Sequence, residues 1–365
     1  MSQLIKYLIG IDVAKDKLDA CLIGLDADLT YKVKATHKFV NTEAGFKEIL
    51  AWMQKHCNEK ITIQTLMEAT GVYHEKLAIY LTQHKRTVFV VLPNKSHKYM
   101  QSLGLKSKND KIDAKGLAMM CAYHKFDEWK PIAKFFYELR LLTRHYQSTQ
   151  EIKTVFINQL HALKHSGYSN KNLVRQLEKN IDQFNDQLKA IKKLISKHID
   201  SDIDVKRKAA QICKIKGIDT LSLATILAET NGFEMIKNIG QLVSYAGYDV
   251  IENQSGKHFG RTKISKKGNS RIRRILHMPA LNTVRYKEPT FVTLHQRIYE
   301  RTKIKMKGYV AVQRKLLTLI YTLWKKDQAY EPQFNQTEIS GNDESRAFFP
   351  LNKVRTLPSK EVVLP

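Results

Sequence analysis

Tyr7-Leu8-Ile9-Gly10-Ile11-Asp12-Val13-Ala14-Lys15 is an apolar run that carries one acid near its end. It reads as a buried strand over residues 5–13. Residues 18–25 and 31–40 read as two more strands, with Asp and Thr turn chemistry between them. Asn41-Thr42-Glu43 opens a helix that runs to about His56. Ile61 to Met67 is a fourth strand, followed by a helix from about Tyr73 to Gln83. Arg86 to Leu92 is a fifth strand, stopped by Pro93. Three strands, helix, strand, helix, strand is the order of a mixed sheet with helices against its faces.

Acids fall at matching places on this frame. Glu68 ends the fourth strand in Leu66-Met67-Glu68-Ala69-Thr70-Gly71, as Asp12 ends the first. Asp110 and Asp113 sit in Asn109-Asp110-Lys111-Ile112-Asp113-Ala114-Lys115, where a helix to about His124 begins. Three residues apart, they share a helical face. Asp110 alone could be a helix cap, but a cap does not account for the pair. If the strands of Asp12 and Glu68 are neighbours, their carboxylates converge, and the helix can pack across to complete a four-carboxylate site. Such acids repel one another unless a cation lies between them, and a divalent metal is the usual one. Two-metal nucleases and recombinases of the ribonuclease-H-like fold are built this way, with two ions clamping the attacking and leaving oxygens of a phosphodiester. Asp12, Glu68, Asp110 and Asp113 are therefore the expected catalytic metal ligands.

The rest of the chain is cationic. Across 365 residues, 61 Lys and Arg face 35 Asp and Glu, a net charge of +26, and the charge clusters. That points to a polyanionic partner, nucleic acid first. A hydrophobic fraction of 43% fits a globular protein and excludes a disordered one. The four cysteines, Cys21, Cys57, Cys121 and Cys213, form no Cys-x-x-Cys pair, which speaks against zinc and disulfides. No stretch is long and apolar enough to span a bilayer, and the N-terminus does not read as a signal peptide. A cytoplasmic protein with no membrane partner is expected.

Beyond about residue 130 the pattern turns helical. Leu177, Ile181, Phe184, Leu188, Ile191 and Ile195 alternate four and three apart, a heptad seam. Residues from about 135 to 164 form an amphipathic partner, so 131–203 reads as a helical hairpin or coiled coil, serving an intermolecular contact or an extended arm. A second globular domain follows over 204–332, mainly helical, and 333–365 reads as a loose tail. Lys216-Gly217-Ile218-Asp219 is a turn into a helix, a place where backbone amides can hold a phosphate. A polar, Gly-rich segment then carries Lys257, Arg261, Lys263, Lys266, Lys267, Arg271, Arg273 and Arg274 with no acid among them. At minimum this is a phosphate-backbone-binding segment. Ser255 and Ser265 lie within it.

The acidic motifs, in this order and spacing, resemble the transposases of the insertion sequence 110 family, which includes the Piv-type DNA invertases. The resemblance runs from about Tyr7 to Pro332. Gly-Ile-Asp falls on Asp12, Glu-Ala-Thr-Gly on Glu68 and Asp-x-x-Asp-Ala on Asp110 and Asp113. Tyr245-Ala246-Gly247, Ser255-Gly256, Gly260-Arg261 and Ile264-Ser265-Lys266-Lys267-Gly268-Asn269 match the later motifs. The family's Pro-Gly-Ile-Gly turn is Lys216-Gly217-Ile218-Asp219 here, and the added acid argues against phosphate at that turn. The resemblance implies a RuvC-like domain over 1–130, a coiled-coil arm, and a transposase domain whose serine, Ser255, attacks DNA. It implies Mg2+ as the cofactor, two ions per site with Mn2+ able to substitute. It also implies a bridge RNA as guide, donor and target DNA as partners, and a dimer assembling to a tetramer, with carboxylates and serine from different protomers. The residues by themselves leave two other readings open. One is a junction-resolving nuclease using water, with Ser255 structural; the other is a non-enzymatic nucleic-acid-binding protein.

Overall fold

The computed structural model describes residues 3–104, 109–168, 170–251, 254–255, 258–260 and 263–331. Two compact units divide the chain, Met1–Ile132 and Ala133–Pro365.

In the first unit, β1 (Leu4–Val13), β2 (Lys17–Asp26) and β3 (Tyr31–Val40) form an antiparallel meander. After α1 (Glu43–His56), β4 (Thr62–Glu68) returns parallel to β1. After α2 (Glu75–Gln83), β5 (Thr87–Val91) adds parallel to β4. The sheet order is β3-β2-β1-β4-β5, the topology of a ribonuclease-H-like domain. Alternation along the strands gives the sheet two apolar faces, each of which needs cover. Ile9, Ile11, Leu18, Leu22 and Met67 pack with α1 and α2. Leu8, Cys21, Ile23 and Leu66 pack on the other face against α4 (Asp110–Tyr123).

Pro93 does stop β5, but it also opens α3 (Pro93–Ser102), a helix the sequence reading lacks. Proline's missing N–H is no loss in a first helical turn, where that group would be unpaired anyway.

The second unit is helical apart from short strand pairs. Long helices α5 (Lys134–Lys164) and α6 (Lys171–Asp200) lead it. The heptad seam of α6 closes within the chain: Leu177, Leu188, Ile191 and Ile195 are buried, and Phe184 meets Phe156 of α5 edge-on at 5.2 Å. The base of this hairpin shares its core with the helices that follow, since Leu139, Ile191, Ile195 and Ile199 join one cluster with residues through Tyr330. Those helices are α7 (Ile203–Ile212), the apolar α8 (Thr220–Thr230) and α9 (Ile239–Ala246).

Next come the strand pairs. β6 (Val250–Ile251), β7 (Gln254–Ser255), β8 (His258–Phe259) and β9 (Lys263–Ile264) pair antiparallel in nested fashion, β6 with β9 and β7 with β8. The chain ends its described part in α10 (Ser270–Ile275), α11 (His277–Arg285), α12 (Pro289–Thr302) and α13 (Lys305–Lys326). Residues 270–285 are thus two helices rather than one continuous helix, and Pro289 opens α12. The tail from 333 lies outside the described residues. Among the described residues, no helix is long and apolar enough to cross a membrane.

Candidate active site

Strand register brings the first two acids together. Ile11 of β1 lies beside Met67 of β4, so Asp12 and Glu68 follow side by side on parallel neighbours. Leu8 and Leu66 face α4, and period-2 alternation turns Asp12 and Glu68 to that same face. Gly10 sets how near α4 can come. A Cβ there would stand 2.0 Å from the Ala114 carbonyl oxygen, so only glycine admits the helix at this height. The first turn of α4 is thereby held over the end of β1, with Asp110 and Asp113 in it. Asn109, not Asp110, caps this helix: its Oδ1 accepts from the Ile112 amide at 2.9 Å. Asp110 is therefore free of capping duty.

Electrostatics report the same convergence. The Asp12 carboxyl is pushed from 3.8 up to about 6, by burial first, then by the charges of Asp113, Asp110, Glu68 and Asp19. Glu68 accepts a 2.6 Å hydrogen bond from the Oγ of buried Ser96 on α3. Lys17 bonds the Asp110 carboxylate and holds its pKa below the ordinary value.

The donor set is all carboxylate, which suits a hard divalent cation, and Asp12 is raised first by burial and then by the neighbouring acids, both of which a bound cation would offset. The four acids converge in charge more than in ligation. Among the described residues, no three His, Cys, Asp or Glu side chains are grouped tightly enough to hold an ion as they stand. Two of the acids are engaged elsewhere: Lys17 bonds Asp110 and Ser96 bonds Glu68.

Two residues here escaped the sequence reading. Ser96 lies on the unforeseen α3. Asp19 pairs directly opposite Asp12 across β1 and β2, and only the register shows it.

The second unit holds the basic segment. Ser255 pairs with His258 in the β7–β8 ladder, so the expected loop contains strand structure. Lys257 and Arg261 lie outside the described residues. Lys263, Lys266 and Lys267 are exposed, as a phosphate-binding role requires. The three arginines have partners in the protein. Arg273 donates to the Ala246 carbonyl at 2.8 Å, Arg274 bonds Glu151 of α5, and Arg271 lies 4.0 Å from Glu229. Ser265 is also engaged, donating to Asp249 Oδ1 at 2.7 Å. At the Gly217 turn, Asp219 caps α8 through the Ser222 amide at 2.9 Å and Ser222 Oγ at 2.6 Å. A carboxylate already fills the place a phosphate would take.

Glu229 organises this region, and the sequence reading passed over it. It ends an apolar helix and is 1% exposed. Arg144 of α5 donates to it twice, at 2.8 and 3.0 Å, and Asn269 donates at 2.7 Å. Asn269 in turn caps α10, accepting from the Arg271 and Ile272 amides. Burial pushes Glu229 up, but Arg144 and Asn269 hold it below its ordinary value.

Fold and site define a class: a ribonuclease-H-like domain with motif carboxylates gathered at one end of its sheet, joined to a basic helical unit. A DEDD-type IS110 transposase model matches residues 9–165, and a model described as "Transposase IS116/IS110/IS902 family" matches 209–296. The chain belongs to the IS110 family of transposases, enzymes that cut DNA. It is 28% identical over 334 residues to the pilin gene-inverting protein of Moraxella bovis, covering 91% of this chain and 99% of that one. The pilin gene-inverting protein of Moraxella lacunata matches to the same extent. Among solved structures, Thermus thermophilus RuvC covers 34% of this chain and 99% of its own, at 10% identity and a TM-score of 0.27. T. thermophilus RuvC in complex with a Holliday junction substrate covers 32% and 93%, at 11% identity and a TM-score of 0.26.

Proposed function

We propose that this transposase cuts and rejoins DNA through a serine hydroxyl, with Asp12, Glu68, Asp110 and Asp113 as its metal-holding carboxylates. The observation that carries the reading is the approach of three separate motifs at one end of the sheet, through the β1–β4 register and the seating of α4 on Gly10. Bound there, Mg2+ or Mn2+ would neutralise charge on the phosphodiester and on the entering oxygen. Ser255 Oγ gives up its proton and attacks phosphorus, the Oγ–P bond forms, the P–O bond to the departing strand breaks, and the departing oxygen takes up a proton. The freed strand ends in a hydroxyl, which reverses the step during rejoining without ATP. Serine hydroxyl is a weak nucleophile at neutral pH, so the step depends on charge stabilisation around the phosphate. Lys263, Lys266 and Lys267 supply some of it, while Arg271, Arg273 and Arg274 hold the segment itself in place.

The substrate is donor and target DNA, and a bridge RNA guides the choice of site. The high positive charge supports that partnership, because RNA duplex is recognised by backbone and shape. Dimers assembling to tetramers would bring carboxylates and serine together from different protomers. Exposed Ile152 and Val155 on α5, 46% and 52% accessible, offer apolar surface for such assembly.

The test is to trap the reaction on a donor–target pair with the RNA recovered from cells, and to map any DNA-linked peptide by mass spectrometry. An adduct on Ser255, lost in Ser255→Ala while DNA binding persists, is expected. An adduct on Ser265, or full strand exchange by Ser255→Ala, overturns the serine assignment. Cleavage without any adduct means hydrolysis by water.

A further inference from the structure

Asp19 is a buried acid of the first unit that the four motif acids leave out. It is 3% exposed, and its Oδ1 is buried without a hydrogen-bond partner. Leaving an ionised carboxylate oxygen buried and unbonded is costly unless nearby cations compensate. Its nearest cations are Lys38 at 3.5 Å and Lys17 at 4.0 Å, 57% and 49% exposed. Strand register sets Asp19 directly across from Asp12. Cys21 and Ile23, at alternate positions after it, face α4, so Asp19 faces the acidic site and not the opposite core. Lys17 reaches from Asp19 to Asp110, linking the start of β2 to the first turn of α4.

These placements separate two roles. A buried acid beside the cluster deepens its negative potential and favours any cation that enters. An ammonium bonded to one of the ligating acids opposes that same cation. We propose that Asp19 is a fifth carboxylate of the acidic site, a positioning residue that strengthens its hold on a divalent cation, and that Lys17 is an internal counter-cation competing for Asp110. This rests on the metal-holding role proposed above for the four motif acids, and it goes beyond them. Lys38 pairs with Asp19 and acts on Asp110 only through its charge, whereas Lys17 bonds Asp110 directly.

The two roles give effects of opposite sign, which a purely structural contribution would not. Mn2+ binding to the full-length protein, without DNA or RNA, is measured by titration calorimetry and by loss of the free-ion electron spin resonance signal. Asp19→Asn keeps the shape and removes the charge, so it should weaken binding about tenfold, the lower end for groups that support metal ligands from behind. Lys17→Met should tighten binding about threefold, a small gain because Lys17 is half exposed and water screens it. Thermal unfolding of both variants identifies any loss of fold, and Asp19→Glu, which restores charge, should recover part of the affinity. Wild-type binding left unchanged by Asp19→Asn overturns the fifth-carboxylate role, and weaker binding in Lys17→Met overturns the competition. No Mn2+ binding by the wild type overturns the metal reading itself, and this proposal with it.

Discussion

Gly10→Ala tests the geometry on which the acidic site depends. The new Cβ would stand 2.0 Å from the Ala114 carbonyl oxygen and 2.3 Å from the Ala118 amide nitrogen. Both are backbone atoms of α4, so no side-chain rotation relieves the clash. Contacts below 3.0 Å are essentially never tolerated, so strand and helix must part by about 1 Å. Overpacking of this kind costs roughly 1–3 kcal/mol. Replacing a glycine gives back about 0.4–1 kcal/mol by restricting the unfolded chain. Strain wins, and the net loss should be about 1–2 kcal/mol. Hydrogen exchange read by mass spectrometry resolves it: α4 amides should exchange on the order of tenfold faster, while α8 in the second unit stays as in the wild type. The same retreat carries Asp110 and Asp113 away from Asp12, so Mn2+ affinity should fall with protection. Unchanged α4 exchange together with unchanged Mn2+ binding would refute the claim that Gly10 seats the helix over the site.

Glu229→Gln leaves Arg144 and Arg271 without their buried counter-ion and should destabilise the second unit by about 2 kcal/mol, less than for a fully buried pair because Arg144 is partly exposed. The folded Glu229 titrates below its ordinary 4.5, so its stabilisation is complete above pH 4.5 and fades as pH falls through the depressed folded value. Exchange in α8 should therefore rise in that acid window for the wild type and not for Glu229→Gln; parallel curves would count against the ion pair. Lys266→Gln with Lys267→Gln should weaken binding to every DNA sequence alike and lower the salt slope by up to about 2, and an unchanged slope means these lysines meet no phosphate.

Much of the first unit is written locally. Strands with period-2 alternation, a helix opened by Asn41-Thr42-Glu43 and acids at strand ends are features of neighbouring residues, and all five strands lie where the sequence places them. The hairpin helices are equally local, since a seam of four and three survives in any packing. Helices α3 and α12 were missed because each begins at a proline. Proline forbids a helix interior but suits a first turn, and only the following residues' contacts decide which applies.

The sequence by itself determined which residues carry charge and on which element each one rides: Asp12 and Glu68 on strand ends, Asp110 and Asp113 on one helical face. Tertiary structure decided what those charges meet. The register across β1 and β2 places Asp19 opposite Asp12, seven residues away in a chain where nothing marks it as acidic partner. Packing sends Arg144 and Asn269, 85 and 40 residues distant, to the same buried Glu229. A local pattern fixes the direction of a side chain relative to its own backbone. Coulomb energy and hydrogen bonding depend on distances between elements, and those exist only once the sheet has its register and the helices are seated.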